Sequence, residues 1–108
     1  MLTKKKRLNR ETFNRFFSAG KRYHSPSLML IYHAHNAFQA SAVAPKKFAK
    51  TAVLRNKFRR RVYEVLKGFE KENQNTGVYI VIAKEKAALL PFDTLREELH
   101  ALVKKVLG

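Results

Sequence analysis

The sequence predicts a single α+β domain over residues 1–108, and three observations carry that reading. Apolar residues recur at helical spacing in three stretches, while three other stretches are short β-prone runs bounded by turn residues. The 108 residues are 45% apolar, enough to build one modest core and too short for a multidomain machine. No internal repeat or low-complexity tract breaks the pattern, and the chain has no cysteine, which excludes a disulfide framework and every thiolate metal site.

The elements follow in order. Asn9 is placed to cap a first helix running to about Ala19, with Gly20 ending it. Leu8 and Phe13 have the spacing of a hydrophobic staple, and Phe13, Phe16 and Phe17 share one helical face. Leu28-Met29-Leu30-Ile31-Tyr32-His33 reads as a strand, His35-Asn36-Ala37 as a turn, and Phe38 to Ala44 as a second strand stopped by Pro45. These two strands are expected to pair antiparallel. After a loop at Lys46 to Lys50, a second helix is expected from about Ala52 to Lys67, stopped by Gly68. Its Leu54, Phe58, Val62, Val65, Leu66 and Phe69 form a stripe to be buried. Glu70 to Gly77 is polar and expected to be a loop. Val78-Tyr79-Ile80-Val81-Ile82-Ala83 is apolar without alternation, the pattern of a strand buried on both faces in mid-sheet. Asp93 or Thr94 is placed to cap a last helix, Thr94 and Glu97 having capping-box spacing; Leu95, Leu99, Leu102, Val103 and Val106 form its apolar face.

Charge dominates the composition. The chain has 23 Lys and Arg against 8 Asp and Glu, a net charge of +15. Residues 1–63 hold 16 of the cations and one carboxylate, Glu11, whereas residues 64–108 hold seven of each. A surface made basic only for solubility would spread its charge, so the asymmetry points to one anion-binding region on a near-neutral scaffold. The second helix concentrates it. Arg55/Arg59 and Lys57/Arg61 are like-charge pairs four residues apart, each costing about 0.2–0.5 kcal/mol, and Arg55 and Lys57 lie near the positive end of the helix dipole. Phosphates docking there would relieve both penalties. A membrane-surface helix fits less well, because the apolar stripe is needed for the core and the chain has no Trp. The basic stretch Met1 to Arg10 is not followed by an apolar run and nothing approaches about 18 consecutive apolar residues, so a soluble, cytoplasmic protein is expected.

Lys46-Lys47 followed by Ala52-Val53-Leu54-Arg55-Asn56-Lys57-Phe58-Arg59-Arg60 resembles the signature of the bacterial ribonuclease P protein component. That family carries a Lys-Lys pair, an Ala-Val pair and an Arg-Asn-Arg segment followed by Lys-Arg. The resemblance runs through nearly the whole chain, with Lys57 in place of the second Arg, Arg59 in place of Lys, and Pro45 ahead of the Lys pair where a small polar residue is common. It implies a two-layer α-β sandwich of order αβββαβα, with a small mixed sheet, a central signature helix and a left-handed crossover. The implied function is that of the protein subunit of the ribonucleoprotein endoribonuclease that removes the 5′ leader from precursor tRNA, the RNA performing catalysis. Arg55, Asn56, Lys57, Arg59, Arg60 and Arg61 would face the catalytic RNA and help hold metal ions near it, with Mg2+ bound through the RNA. A cleft between the second helix and the sheet would receive the single-stranded leader, lined by Phe13, Phe17, Ile31 or Tyr32 and Tyr63, with Lys46 and Lys47 near its mouth. The free protein is expected to be a monomer.

The residues agree in kind. Aromatic rings stack on splayed bases with little sequence preference while neighbouring cations track the backbone. For each of Phe13, Phe16 and Phe17 core packing is the competing role, and Ile31 and Tyr32 point to opposite faces of their strand, so only one can line a cleft. Metal-dependent phosphodiester hydrolysis by the polypeptide would need convergent carboxylates, and the basic region has only Glu11. His33 and His35 lie beside a turn with no carboxylate nearby, which fits strand-end histidines that touch RNA better than a metal site. The alternative function is a purely structural RNA binder, such as a small ribosomal protein or assembly factor, indifferent to a 5′ leader.

Overall fold

A computed structural model describes residues 8–73 and 76–107. Lys4-Lys5-Lys6-Arg7, the start of the basic region, and residues 74–75 of the polar stretch lie outside it. The chain runs α1 (Arg10–Ala19), β1 (Lys21–His24), β2 (Leu28–His33), β3 (Phe38–Val43), α2 (Ala52–Asn73), β4 (Gly77–Ala83), a 3-10 turn (Ala87–Leu89) and α3 (Phe92–Leu107). The four strands form one mixed sheet in the order β1-β2-β4-β3. This is the α+β order αβββαβα that the resemblance implied, with α2 and α3 layered on one face of the sheet and α1 lying across part of the other.

The sheet is organised around β4. Being apolar on both faces, it gains most from a central position, and it takes one: antiparallel to β2, with Leu30 opposite Val81, and parallel to β3, with Ala42 opposite Val81. The expected antiparallel pairing of β2 with β3 therefore does not form, because β4 lies between them. The link from β2 to β3 crosses the start of β4, where the Gly77 amide donates to the Ala37 carbonyl at 3.0 Å. Gly77 is required there. Its φ is +118°, and a Cβ would stand 2.5 Å from the Tyr32 ring. Strand β1, implied by the resemblance but marked by no apolar run of its own, is a four-residue, largely exposed edge whose register comes from β2, with Arg22 opposite Ile31.

The main core lies between the sheet and the α2-α3 layer. Leu28, Leu30, Tyr79 and Val81 face Phe58, Val62 and Leu66 of α2 and Leu95, Leu99 and Leu102 of α3, all fully buried. A second, smaller cluster on the opposite face joins Ile31, Val78 and Ile80 to Phe16 of α1. Asn9 caps α1 as expected, its Oδ1 accepting from the Thr12 amide at 2.8 Å, and both staple residues, Leu8 and Phe13, pack on the second cluster. Gly20 does end α1, but through close approach, with an extended backbone: a Cβ there would lie 2.4 Å from Ile31 Cγ2.

Two helix ends differ from expectation. Helix α2 continues through Gly68 to Asn73. Glycine costs a helix about 1 kcal/mol, and burial of Val65, Leu66 and Phe69, whose ring meets His100 at 4.5 Å, outweighs it. Helix α3 starts at Phe92, before either proposed cap, and the Pro91 carbonyl accepts from the Leu95 amide at 3.1 Å. Asp93 then sits in the first turn, paired with Arg96 at 3.1 Å, and Glu98 reaches across the fold to accept from the Ser27 amide at 3.2 Å.

Candidate nucleic-acid interface

Helix α2 presents two faces. Thr51 opens it, its Oγ1 accepting from the Leu54 amide at 3.2 Å, and no acidic residue stands in its first turn to balance the cations. The apolar stripe is buried as expected, Leu54 only partly. On the outward side Asn56, Lys57, Arg59, Arg60 and Lys67 are exposed, and Arg59 donates to the Asn56 side chain. Val53, in the signature itself, is 73% exposed, so it adds an apolar contact point to the cationic face instead of joining the core.

The other signature cations are tied to the protein. Arg55 donates to the Ala49 carbonyl at 3.0 Å and so fastens the loop after β3 to the helix. Arg61 donates to the Leu90 carbonyl at 3.0 Å and lies 5.6 Å from the Phe92 ring centre, clamping the segment before α3. The like-charge pairs read from the sequence are thus relaxed: one partner of each turns to a carbonyl, leaving Arg59 and Lys57 outward. Tyr63 was expected among the cleft residues but is buried, with its hydroxyl accepting from the Ala42 amide at 3.2 Å. It joins α2 to β3.

Among the described residues the space between α2 and the sheet, where the cleft was expected, is filled by the main core. The open strip lies on the opposite face, beside α1. Phe16 points into the sheet and is 3% exposed, whereas Phe13 and Phe17 are half-buried, their rings stacked 5.6 Å apart at 30°. Next to this pair the sheet offers Met29, Ser41, Val43 and Ile82, all half-buried; Ser41 and Val43 share this face by register with Ile80 and Ile82. Neither strand residue proposed from sequence is part of the strip. Ile31 is sealed beneath α1 against Phe16, and Tyr32 turns to the other face, its ring 5.1 Å from that of Tyr79.

Arg22 of β1 closes one side of the strip. Its guanidinium sits 4.8 Å from the Phe17 ring centre and donates to the Phe17 carbonyl at 3.1 Å. Sequence reasoning missed it because its place depends on an edge strand with no alternation of its own; the pairing Arg22–Ile31 puts it on the α1 face. Lys46 and Lys47 are exposed in the loop that follows Val43, at the end of the strip nearest α2. At the far end, the rings of His33 and His35 lie 4.9 and 5.7 Å from Phe16, and their Nδ1 atoms engage the backbone of the adjoining turn. Among the described residues no group of three or more His, Cys, Asp or Glu could hold a metal ion. No helix among them is long and apolar enough to cross a membrane.

An outward helix of cations on one side of the molecule and an aromatic strip flanked by Arg22 and Lys46-Lys47 on the other define a small RNA-binding protein. Its architecture has been seen before. The ribonuclease P protein of Staphylococcus aureus superposes with a TM-score of 0.83 at 23% identity, covering 94% of each chain. That of Thermotoga maritima superposes with a TM-score of 0.78 at 27% identity, covering 94% of this chain and 98% of the other. The family model for ribonuclease P matches residues 2–107, and the chain belongs to that family. It is the protein subunit of an RNA-based endoribonuclease that matures the 5′ end of tRNA, with the ribonuclease P RNA and precursor tRNA as its partners.

Proposed function

We propose a division of labour between the two sides of the molecule. Lys57, Arg59 and Arg60, with Asn56 between them, meet phosphates of the catalytic RNA, while Phe13 and Phe17 receive the single-stranded 5′ leader. The observation that carries this reading is the stacked, half-exposed Phe13–Phe17 pair beside an open strip of sheet. A half-buried aromatic pair offers a ready platform for an unpaired base, and Arg22, held on the Phe17 ring, is placed to meet the adjoining phosphate. Arg55 and Arg61 act as positioning residues, fixing the loop after β3 and the segment before α3. Lys46 and Lys47 extend the positive field along the path of the strand. Mg2+ in this reading is held by the RNA, since the outward face of α2 sets one carboxylate, Glu64, among its cations, too few acidic oxygens to hold a divalent ion. The reaction belongs to the bacterial cytoplasm, where precursor tRNA is made.

Reconstitution tests the reading. The chain is mixed with a bacterial ribonuclease P RNA and precursor tRNA at low magnesium, where phosphate repulsion makes the RNA alone weak. Accelerated release of the 5′ leader is expected, and no gain over RNA alone overturns it.

A further inference from the structure

The loops that leave the carboxyl ends of the parallel strands β3 and β4 converge on a shallow hollow of about 420 Å³, a size that takes one nucleotide. Lys47, Phe48 and Lys50 line one side, Glu85, Lys86 and Leu89 the other. The carboxyl ends of parallel strands are where open sheets commonly place ligands, because the loops there diverge into helices and leave a crevice.

Its walls suit a planar, anionic guest. Leu89 is 68% exposed, a large apolar side chain left in solvent, and Phe48 is half-buried with Lys47 Nζ 5.5 Å from its ring centre. Lys86 holds a left-handed backbone at φ 68°, which residues other than Gly and Asn adopt only when the surroundings enforce it. The enforcing bonds run from the Ala87 amide to the Lys84 carbonyl and from the Leu89 amide to the Lys86 carbonyl, at 3.2 and 3.0 Å. Glu85 stands among these lysines without an ion-pair partner among the described residues. A lone carboxylate weakens a site meant only for phosphate. It is useful if it reads hydrogen-bond donors.

A carboxylate accepts two hydrogen bonds side by side and donates none. Guanine is the base whose pairing edge sets two donors, N1–H and the N2 amino group, next to each other. Adenine, cytosine and uracil set a donor beside an acceptor, which would face a carboxylate oxygen. We propose that this hollow is a single-nucleotide subsite selective for an unpaired guanine, with the base between Phe48 and Leu89, Glu85 on its pairing edge, and Lys47, Lys50 and Lys86 on the phosphates. The inference rests on the leader reading for the path of the strand, since the two loops begin where Val43 and Ile82 end the open strip, and adds a base preference to it.

The test is equilibrium binding of the full chain to fluorescein-labelled UUGUU, UUAUU, UUCUU and UUUUU at fixed salt. UUGUU is expected to bind roughly tenfold tighter than UUUUU, the scale of a good bidentate contact. Glu85→Gln, an exposed position, should shrink that ratio to about twofold without weakening UUUUU. Phe48→Leu should weaken all four RNAs. Equal binding of the four by the parent protein, or a guanine preference that survives Glu85→Gln, overturns the proposal. Either result leaves the effect of Phe17→Ala on leader binding intact, so the failure of this subsite and the failure of the leader reading are separate outcomes.

Discussion

On one face of the sheet Leu28, Leu30, Tyr79 and Val81 lie sealed under α2 and α3, none more than 1% exposed. On the other face α1 covers Ile31, Val78 and Ile80 but leaves Met29, Val43 and Ile82 half-buried. The difference is one of helix length. The 22-residue α2 and 16-residue α3 can roof four strands, whereas the 10-residue α1 crosses the sheet and stops. One face therefore holds the fold together, and the other has apolar surface left for a guest. Helix α2 repeats the lesson across its own width, with Phe58 buried and Arg59 and Arg60 in solvent.

The largest effect should come from the sealed side. Phe58→Ala removes a fully buried ring and is expected to cost about 3–5 kcal/mol, read from urea unfolding. A loss below about 1 kcal/mol would mean the face is not close-packed. Arg60→Ala, on the same helix but outward, should stay within about 0.5 kcal/mol of the parent in stability. Its effect belongs in binding: the salt dependence of assembly with the catalytic RNA should flatten by about 0.7–0.9 in log-log slope for each phosphate that Arg60 no longer neutralises. A large stability loss without a change in slope would erase the contrast between the two sides of α2.

A smaller effect sharpens the comparison from within the core. The Tyr79 hydroxyl is buried without a hydrogen-bond partner among the described residues, and burial, with the Tyr32 hydroxyl nearby, raises its pKa from 10.0 to about 12. The folded state thus keeps a proton that the unfolded state gives up above pH 10, so stability is unaffected below that pH and falls as pH rises towards 12. Tyr79→Phe should be neutral or slightly stabilising at pH 7, since an unsatisfied hydroxyl is removed at nearly constant volume. It should also reduce the alkaline loss of stability, measured by denaturant unfolding at pH 8 and pH 11. An unchanged alkaline slope would mean that the hydroxyl is hydrated in the folded state.

Much of this arrangement was legible in the chain, and what escaped did so for physical reasons. The stripes of the two long helices follow from periodicity and the run Val78 to Ala83 from its unbroken apolarity, and the structure buries them except for Leu54, Ile82 and Val106, which are half-buried. Strand order is a different kind of information. A short link between two strands suggests a hairpin, and only β4, arriving later in the chain with two apolar faces, shows why β2 and β3 are held apart. Gly68 misled because local propensity is weaker than the burial of Phe69 beyond it. At the candidate interface, net charge pointed to residues 1–63, but charge alone does not say which cations the protein keeps for itself. Arg55 and Arg61 carry the same charge as Arg60 and bond carbonyls instead. Alternation correctly put Ile31 and Tyr32 on opposite faces, yet which face stays open depends on where α1 lies, and α1 covers Ile31.

The central claim is that the partly covered face receives the leader. The direct measurement is the affinity of the reconstituted ribonucleoprotein, with parent protein or Phe17→Ala, for precursor tRNA and for mature tRNA. Loss of one stacking partner should weaken precursor binding by about 1–3 kcal/mol, roughly 5- to 150-fold, and leave mature tRNA within about twofold. Equal weakening of both, or of neither, would contradict the account and assign Phe17 to the core.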